Sequence, residues 1–337
     1  MHGTQGKISS TFKPAWWLTN CHAQTIFPTL STSQSKEIGL RSETIELPDG
    51  DITLIDWLID SPGTGSGAPI LIILHGMEGS SRSQYAKLLL NSAANQGWRA
   101  AVLHLRDCGG LDNKLPRRYH SGETNDLRFL INSLRSKNEE RDTQIVAAGF
   151  SLGGNILLKY LGEEGLDTGL NAAVGISVPL NLHHSAERLS KGFSKIYQFL
   201  FIKKIKKRLR RKFKQNTNAF DWKNTMSAKN FADIDDAVTA PLHGFSGKDE
   251  YYDLCSSINF LSQIRTPTLI INALDDPFTT PEAIVDASDI PECVQIELPR
   301  KGGHIGFING GSPWKPTYYL PNRIIGFLDR QINCSLK

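Results

Sequence analysis

No feature of this 337-residue chain restricts its fold as tightly as Gly149-Phe150-Ser151-Leu152-Gly153-Gly154. A short β-prone run, Thr143 to Ala148, leads into it, and a helix-forming stretch, Asn155 to Leu161, leaves it. A serine between two glycines at a strand-to-helix junction has the G-x-S-x-G spacing of a nucleophile elbow. Such a serine sits on a strained turn that exposes its hydroxyl, and side chains at Gly149 and Gly153 would collide with neighbouring backbone. The helix that follows turns its N-terminal amides and positive dipole end toward a developing oxyanion. The pattern also recurs by chance. Its meaning depends on whether the rest of the chain supplies a base, an acid and a second oxyanion donor.

Around the elbow runs a strand–helix rhythm. Thr44–Leu47 and Ile52–Trp57 alternate about Pro48-Asp49-Gly50-Asp51, which reads as a hairpin. After a Gly/Ser-rich surface loop at 61–67, Pro69–Leu74 is a continuous apolar run, as expected of a strand covered on both faces. A helix near 83–94, a strand at 100–104, a helix near 123–134, the elbow units and a strand at 172–176 follow. The rhythm resumes with a strand at 267–273, a helix after Pro281, a strand at 294–298 and a closing helix near 318–331. This order predicts an α/β chain with a mostly parallel, doubly wound central sheet and helices on both faces. With the elbow after a central strand, it fits the α/β-hydrolase fold. Residues 1–43 read as an N-terminal arm packed on the core, with Trp16 and Trp17 as packing residues and a short helix at its end. The core then occupies 44–180 and 241–337. Between them, 181–240 reads as a helical cap insertion of the kind that excludes water and shapes a pocket.

Chain order in α/β-hydrolases is nucleophile, acid, histidine. After Ser151, the strand at 267–273 runs into Asp275-Asp276-Pro277, where a carboxylate reaches the histidine loop from the rigid sheet. The G-x-x-D-P spacing, with Ala273 in the glycine position, selects Asp276; Asp275 is the alternative, and a helix N-cap role suits one of the pair. His304 lies in Gly302-Gly303-His304-Ile305-Gly306. Alone among nine histidines it combines the right order, a preceding strand and glycine flanks that leave room for the ring to swing toward Ser151. A neutral imidazole there can take the serine proton and later return it to the leaving group. The oxyanion donors are expected to be the backbone amides of Leu152 and of Met77, in His75-Gly76-Met77-Glu78-Gly79. Losing one such donor typically costs about 2.7–4 kcal/mol of transition-state stabilisation. His75 is expected to bond locally, and His120 to be structural or pocket-lining. There is no H-E-x-x-H, no His/Cys cluster at ligand spacing, and no usable phosphate-loop or dinucleotide fingerprint, so no metal or cofactor is expected.

Charge is localised. The net charge is +4, but residues 191–214 hold eleven Lys or Arg and no acid, so the remainder carries −7. Ile202, Ile205, Leu209 and Phe213 fall on one face of a helix there. Two readings stand: a cap helix whose apolar stripe covers the pocket while its charges are solvated, or a helix making peripheral contact with an anionic membrane. Nucleic acid is not the expected partner, because no recognisable reading module accompanies the basic run. Five scattered cysteines without a C-x-x-C pair point to free thiols. With a polar N-terminus and no apolar run of spanning length, the expectation is a cytoplasmic protein, with the inner face of a membrane as the peripheral alternative.

Taken together, these motifs resemble the YheT-type branch of the AB hydrolase superfamily (the AB hydrolase 4 family). The resemblance adds Trp17-Leu18-Thr19-Asn20-Cys21-His22-Ala23-Gln24-Thr25-Ile26, the Arg106…Cys108-Gly109-Gly110 loop and Tyr119-His120-Ser121-Gly122-Glu123-Thr124. It covers nearly the whole chain. This sequence has Arg106-Asp107-Cys108 where the family pattern usually has Arg-Gly-Cys. The resemblance implies hydrolysis of short- to medium-chain acyl esters, some lipid-derived, by a serine esterase, with a small-molecule ester as the partner. Two alternatives remain: an alcohol O-acyltransferase using the same residues, and a membrane- or partner-binding protein on a hydrolase scaffold.

Overall fold

The computed structural model describes residues 6–30, 38–59, 67–137, 142–213, 218–280 and 290–334. The apolar runs become the sheet centre: β4 (Ile70–Leu74), β6 (Ile145–Phe150) and β7 (Ala172–Ile176) are buried at every residue. Alternate side chains of these strands serve two cores. Ile70, Ile72 and Leu74 join one cluster with Leu127, Ile131 and Ile156, while Leu71 and Ile73 join another with Leu89, Leu90, Ile324 and Leu328. Helices α3 (Asn125–Arg135) and α4 (Leu152–Glu164) therefore cover one face, and α2 (Gln84–Asn95) and the closing helix α11 (Tyr319–Cys334) the other. Continuous hydrophobicity follows from this two-sided burial.

The main sheet has nine strands in the order β1-β9-β8-β7-β6-β4-β5-β3-β2. Here β1 is Lys7–Ile8, β2 Leu40–Glu46, β3 Ile52–Leu58, β5 Arg99–Leu103, β8 Thr268–Ile271 and β9 Val294–Glu297. The β2–β3 hairpin around Asp49-Gly50 pairs antiparallel, β3 pairs antiparallel with β5, and the other pairs are parallel. Two pieces have no counterpart in the sequence reading: β1, which adds to the edge beside β9, and a small hairpin of β10 (Ile308–Ser312) and β11 (Lys315–Tyr318). Residues 61–66 of the expected loop and the expected helix at 281–289 lie outside the described residues.

The arm does pack on the core, ending in α1 (Cys21–Leu30), but its two tryptophans separate. Trp17 meets Phe27 edge-on at 5.1 Å and its Nε1 donates to the Gly311 carbonyl at 3.0 Å. Trp16 is 86% exposed, so it is not a packing residue. Ala15 and Leu18, three apart in the same turn, take the inward positions and leave Trp16 facing water.

Between β7 and β8 the chain is helical: α5 (Leu182–Leu189), α6 (Ser194–Lys212), α7 (Trp222–Ser227), α8 (Phe231–Ile234), a wide π-type turn (Asp235–Thr239), α9 (Ala240–His243), α10 (Lys248–Cys255) and a 3-10 stretch (Ser257–Gln263). Asn181, Asp221 and Asn230 cap α5, α7 and α8 by accepting amide hydrogen bonds from the third residue on. The expected insertion boundary at 240/241 thus falls within α9, with helices on both sides of it.

Candidate active site

Ser151 joins β6 to α4 at φ 53° and ψ −120°, a strained conformation for a residue with a side chain. A Cβ on Gly149 would stand 2.5 Å from the Gly153 carbonyl oxygen, and one on Gly153 would stand 2.5 Å from that of His75. The elbow can therefore be held only with glycine on both sides. Its amide donates to the Ile176 carbonyl at 2.8 Å, tying the turn to β7.

Three residues far apart in sequence converge here. His304 Nε2 lies 2.9 Å from Ser151 Oγ, and His304 Nδ1 lies 2.9 Å and 3.2 Å from the two carboxylate oxygens of Asp276. His304 is buried, the Asp276 carboxylate wholly so, and Ser151 is half-buried at the cavity. The Phe278 ring stacks on the imidazole at 4.0 Å, and the Phe278 amide donates to Asp276 Oδ1 at 2.7 Å. Asp275 points elsewhere: its Oδ1 accepts from the Gly303 amide at 2.9 Å. Burial, reinforced by the neighbouring Asp276 charge, pushes the Asp275 carboxyl up against the pull of that amide. Of the two aspartates, only Asp276 is in contact with the imidazole; Asp275 anchors the loop that carries it.

The loop glycines have a different reason from the expected one. Side chains at Gly303 and Gly306 would run into the backbone of α1, at the Cys21 and Gln24 carbonyls respectively. The arm therefore closes directly on the histidine loop. The Thr25 hydroxyl accepts the His304 amide at 2.9 Å, and the wholly buried Gln24 donates to the Leu18 and Ile308 carbonyls and accepts from the Ile308 amide. The sequence motif from Trp17 to Ile26 contained this signal, but not what it holds.

The turn after β4 faces Ser151 from the other side. A Cβ on Gly76 would be 3.2 Å from that of Ser151, and the Gly76 amide donates to Tyr85 OH. Leu152, the first residue of α4, has an N–H with no intrahelical acceptor. Next to Met77, Glu78 holds φ 56°. Its buried carboxylate meets Arg118 at 2.9 Å, Tyr119 OH at 2.9 Å and Arg208 of α6. Burial pushes this carboxyl up, but Arg118 and Arg208 outweigh it and hold the group below its ordinary range. Asp107 adopts φ 68°, a left-handed backbone conformation that favours glycine. Here its carboxylate meets Arg118 at 3.1 Å and Lys212 of α6 at 2.8 Å, and its carbonyl accepts from Arg208. The basic end of α6 is thus locked to the turn beside Ser151, a link that the sequence reading missed because charges in a basic run look solvated.

His75 bonds locally, through Nδ1 to the Gly76 carbonyl (2.7 Å) and Nε2 from the Leu105 amide (3.1 Å); burial lowers it to about 3. His120 lines the cavity, 4.3 Å ring to ring from His243.

A cavity leads from Ser151, Leu152, Met77 and His304 into the helices between β7 and β8. Its walls are mainly apolar, including Leu189, Phe201, Ile205, Phe231, Val238 and Phe278. The lining also carries polar groups, Arg118, His120 and His243 among them, and Asp235, which accepts from Tyr252 OH and Thr239 Oγ1, both at 2.7 Å. Such a space suits an apolar group attached to a polar centre at Ser151.

Comparison with known proteins agrees with this architecture. The model of the alpha/beta hydrolase fold matches residues 69–311. The chain is 37% identical over 322 residues to YheT of Escherichia coli (strain K12), named as an esterase, covering 95% of this chain and 93% of that protein. Phospholipase ABHD3 of Homo sapiens is 28% identical over 317 residues, covering 92% and 77% respectively. Among solved structures, the Pyrococcus furiosus esterase Pf2001 superposes with a TM-score of 0.58 at 17% identity, covering 88% of this chain and 92% of that one, a likeness of fold. By sequence and by architecture, this chain belongs to the alpha/beta hydrolase family, in its YheT-type branch.

Proposed function

We propose that this protein hydrolyses carboxylic esters of short- to medium-chain acids, lipid-derived esters among them, through an acyl-enzyme. The observation that carries the reading is the unbroken pair of contacts from Ser151 Oγ through His304 to Asp276. Ser151 Oγ attacks the ester carbonyl carbon while His304 Nε2 takes its proton. Asp276 holds the imidazole by Nδ1–H and stabilises the imidazolium. The carbonyl oxygen, now an oxyanion, accepts from the amides of Met77 and Leu152 at the positive end of α4. Collapse expels the alcohol, which leaves with the proton from His304. Water repeats the sequence, releasing the carboxylic acid and restoring Ser151. The acyl chain lies in the cavity, where Phe201, Ile205 and Phe231 replace its water.

A fluorophosphonate probe is expected to label the wild-type protein and not Ser151→Ala. A series of p-nitrophenyl esters from acetate to palmitate then reads the acyl range, and a short alcohol added to the assay reads transfer against hydrolysis. Failure of the wild-type protein to label or to turn over any ester in the series would leave a scaffold without this activity.

A further inference from the structure

Helix α6 has two faces of different character. Its inner face buries Tyr197, Ile202, Ile205 and Leu209 against the helices around the cavity. Ten positions from Phe193 to Arg211 are exposed; Lys195 points off about 40° to one side, and the other nine form the outer face: Phe193, Ile196, Phe199 and Leu200, then Lys203, Lys204, Lys207, Arg210 and Arg211. At 3.6 residues per turn, counting from the helical Phe193, all nine fall within an arc of about 140°. The order along the axis is as sharp as the arc. The first four residues are apolar, 46%, 49%, 62% and 50% exposed, and the last five are cationic. With a rise of 1.5 Å per residue, an apolar patch of about 10 Å is followed by a basic one of about 12 Å. The helix itself contributes no acid; on the outer face Arg211 meets Asp112.

We propose that this outer face of α6 docks the protein on an anionic phospholipid surface. Charge and apolarity select the partner together. Phe193, Ile196, Phe199 and Leu200 gain by leaving water for the acyl region just below the headgroups, while the five cations about one to three turns further on meet lipid phosphates. A nucleic acid would answer the cations and leave four large apolar side chains in water. A second copy meeting face to face in parallel would bring cation against cation. No helix among the described residues is long and apolar enough to cross a membrane, so the contact is peripheral. The His22 ring of α1 rests 4.3 Å from the Phe193 ring, and Arg208 and Lys212 fix the other end of α6 to Glu78 and Asp107. Docking therefore engages a helix held at both ends, whose inner face walls the cavity. This inference goes beyond ester hydrolysis and does not depend on it.

The test is sedimentation of the full chain, carrying Ser151→Ala so that lipid stays intact, with phosphatidylcholine vesicles that contain or lack phosphatidylglycerol. The protein is expected to pellet with the anionic vesicles and to be released as salt rises. Lys203→Gln, Lys204→Gln and Lys207→Gln together should weaken binding about fivefold per charge removed and flatten the salt dependence. Phe199→Ser with Leu200→Ser should weaken it at every salt concentration. Because these positions are exposed, unchanged circular dichroism is expected in both variants, and unchanged turnover of a water-soluble ester when Ser151 is restored. Absence of vesicle binding, or vesicle binding that neither set of substitutions alters, would overturn the proposal. So would self-association abolished by the apolar pair without vesicle binding, which would assign the face to a second copy. A gel shift with nucleic acid in place of vesicle binding would likewise overturn it.

Discussion

Asp275 and Asp276 carry the same functional group on adjacent residues, and their backbone directions give them separate tasks. Asp276 meets His304 Nδ1 at 2.9 Å, whereas Asp275 holds the Gly303 amide at 2.9 Å. Asp276→Asn keeps the shape but offers the imidazole an amide, which favours the wrong tautomer. By the role proposed for it, kcat on a soluble ester should fall about 10⁴-fold. Asp275→Asn should retain most of kcat and lower the melting temperature, because it weakens a loop contact instead of a reacting group. Equal losses of kcat in the two variants would contradict the assignment. Spacing in the sequence selected Asp276 with Asp275 as the alternative, and it could not say what the second carboxylate does, since spacing to a strand end does not specify which way a side chain leaves it. Ser151 and His304 were legible for a stronger reason. Each is framed by glycines that backbone contacts require, and a steric demand of that kind leaves a mark in the sequence.

At the level of elements, α6 shows how one helix can join surface to site. Arg208 and Lys212 occur in a run that looks uniformly solvated, yet both reach the core, at Glu78 and Asp107. Glu78 and Asp107 each hold a left-handed backbone conformation, so their side-chain partners help to maintain two strained turns near Ser151. Arg208→Met removes one of the two cations on a buried carboxylate. A hydrogen bond to a charged group contributes about 1.5–3 kcal/mol, and a stability loss of that order is expected by denaturant titration. Because Glu78 follows Met77, kcat should fall by more than KM changes. Adding Glu78→Gln to Arg208→Met should recover part of the stability, since it removes a buried charge left with Arg118 as its remaining cation; a double variant as unstable as the two losses summed would show that the residues do not act through one another. The strand and helix order around this region was readable because hydrophobic runs report two-sided burial. The β10–β11 hairpin and β1 were not, because their short, mixed segments carry little periodicity.

For the molecule as a whole, stability carries a pH signature from the cavity. Burial raises the Asp235 carboxyl from 3.8 to about 6, against the opposing hydrogen bonds of Tyr252 and Thr239. In the unfolded chain the carboxyl ionises near 4, whereas the folded protein holds its proton until about 6. The unfolded state therefore binds fewer protons across that interval. This residue's contribution is greatest below pH about 4 and is lost as pH rises through about 6. Compared with Asp235→Asn, the wild-type melting temperature should decline between these two pH values and level off above them; a constant difference across the range would refute it. On its own, the sequence determined the α/β class, the parallel rhythm of strands and helices, and Ser151 and His304 as the candidate pair, because repeating burial and steric necessity are written in residue order. Tertiary structure alone decided that Asp275 turns to the Gly303 amide, that Trp16 is left in water, that the N-terminal arm clamps the histidine loop through Gln24 and Thr25, and that a basic helix is bound to the turn beside the serine. Those outcomes depend on the directions in which side chains meet across long separations, and local patterns of hydrophobicity and charge do not encode direction.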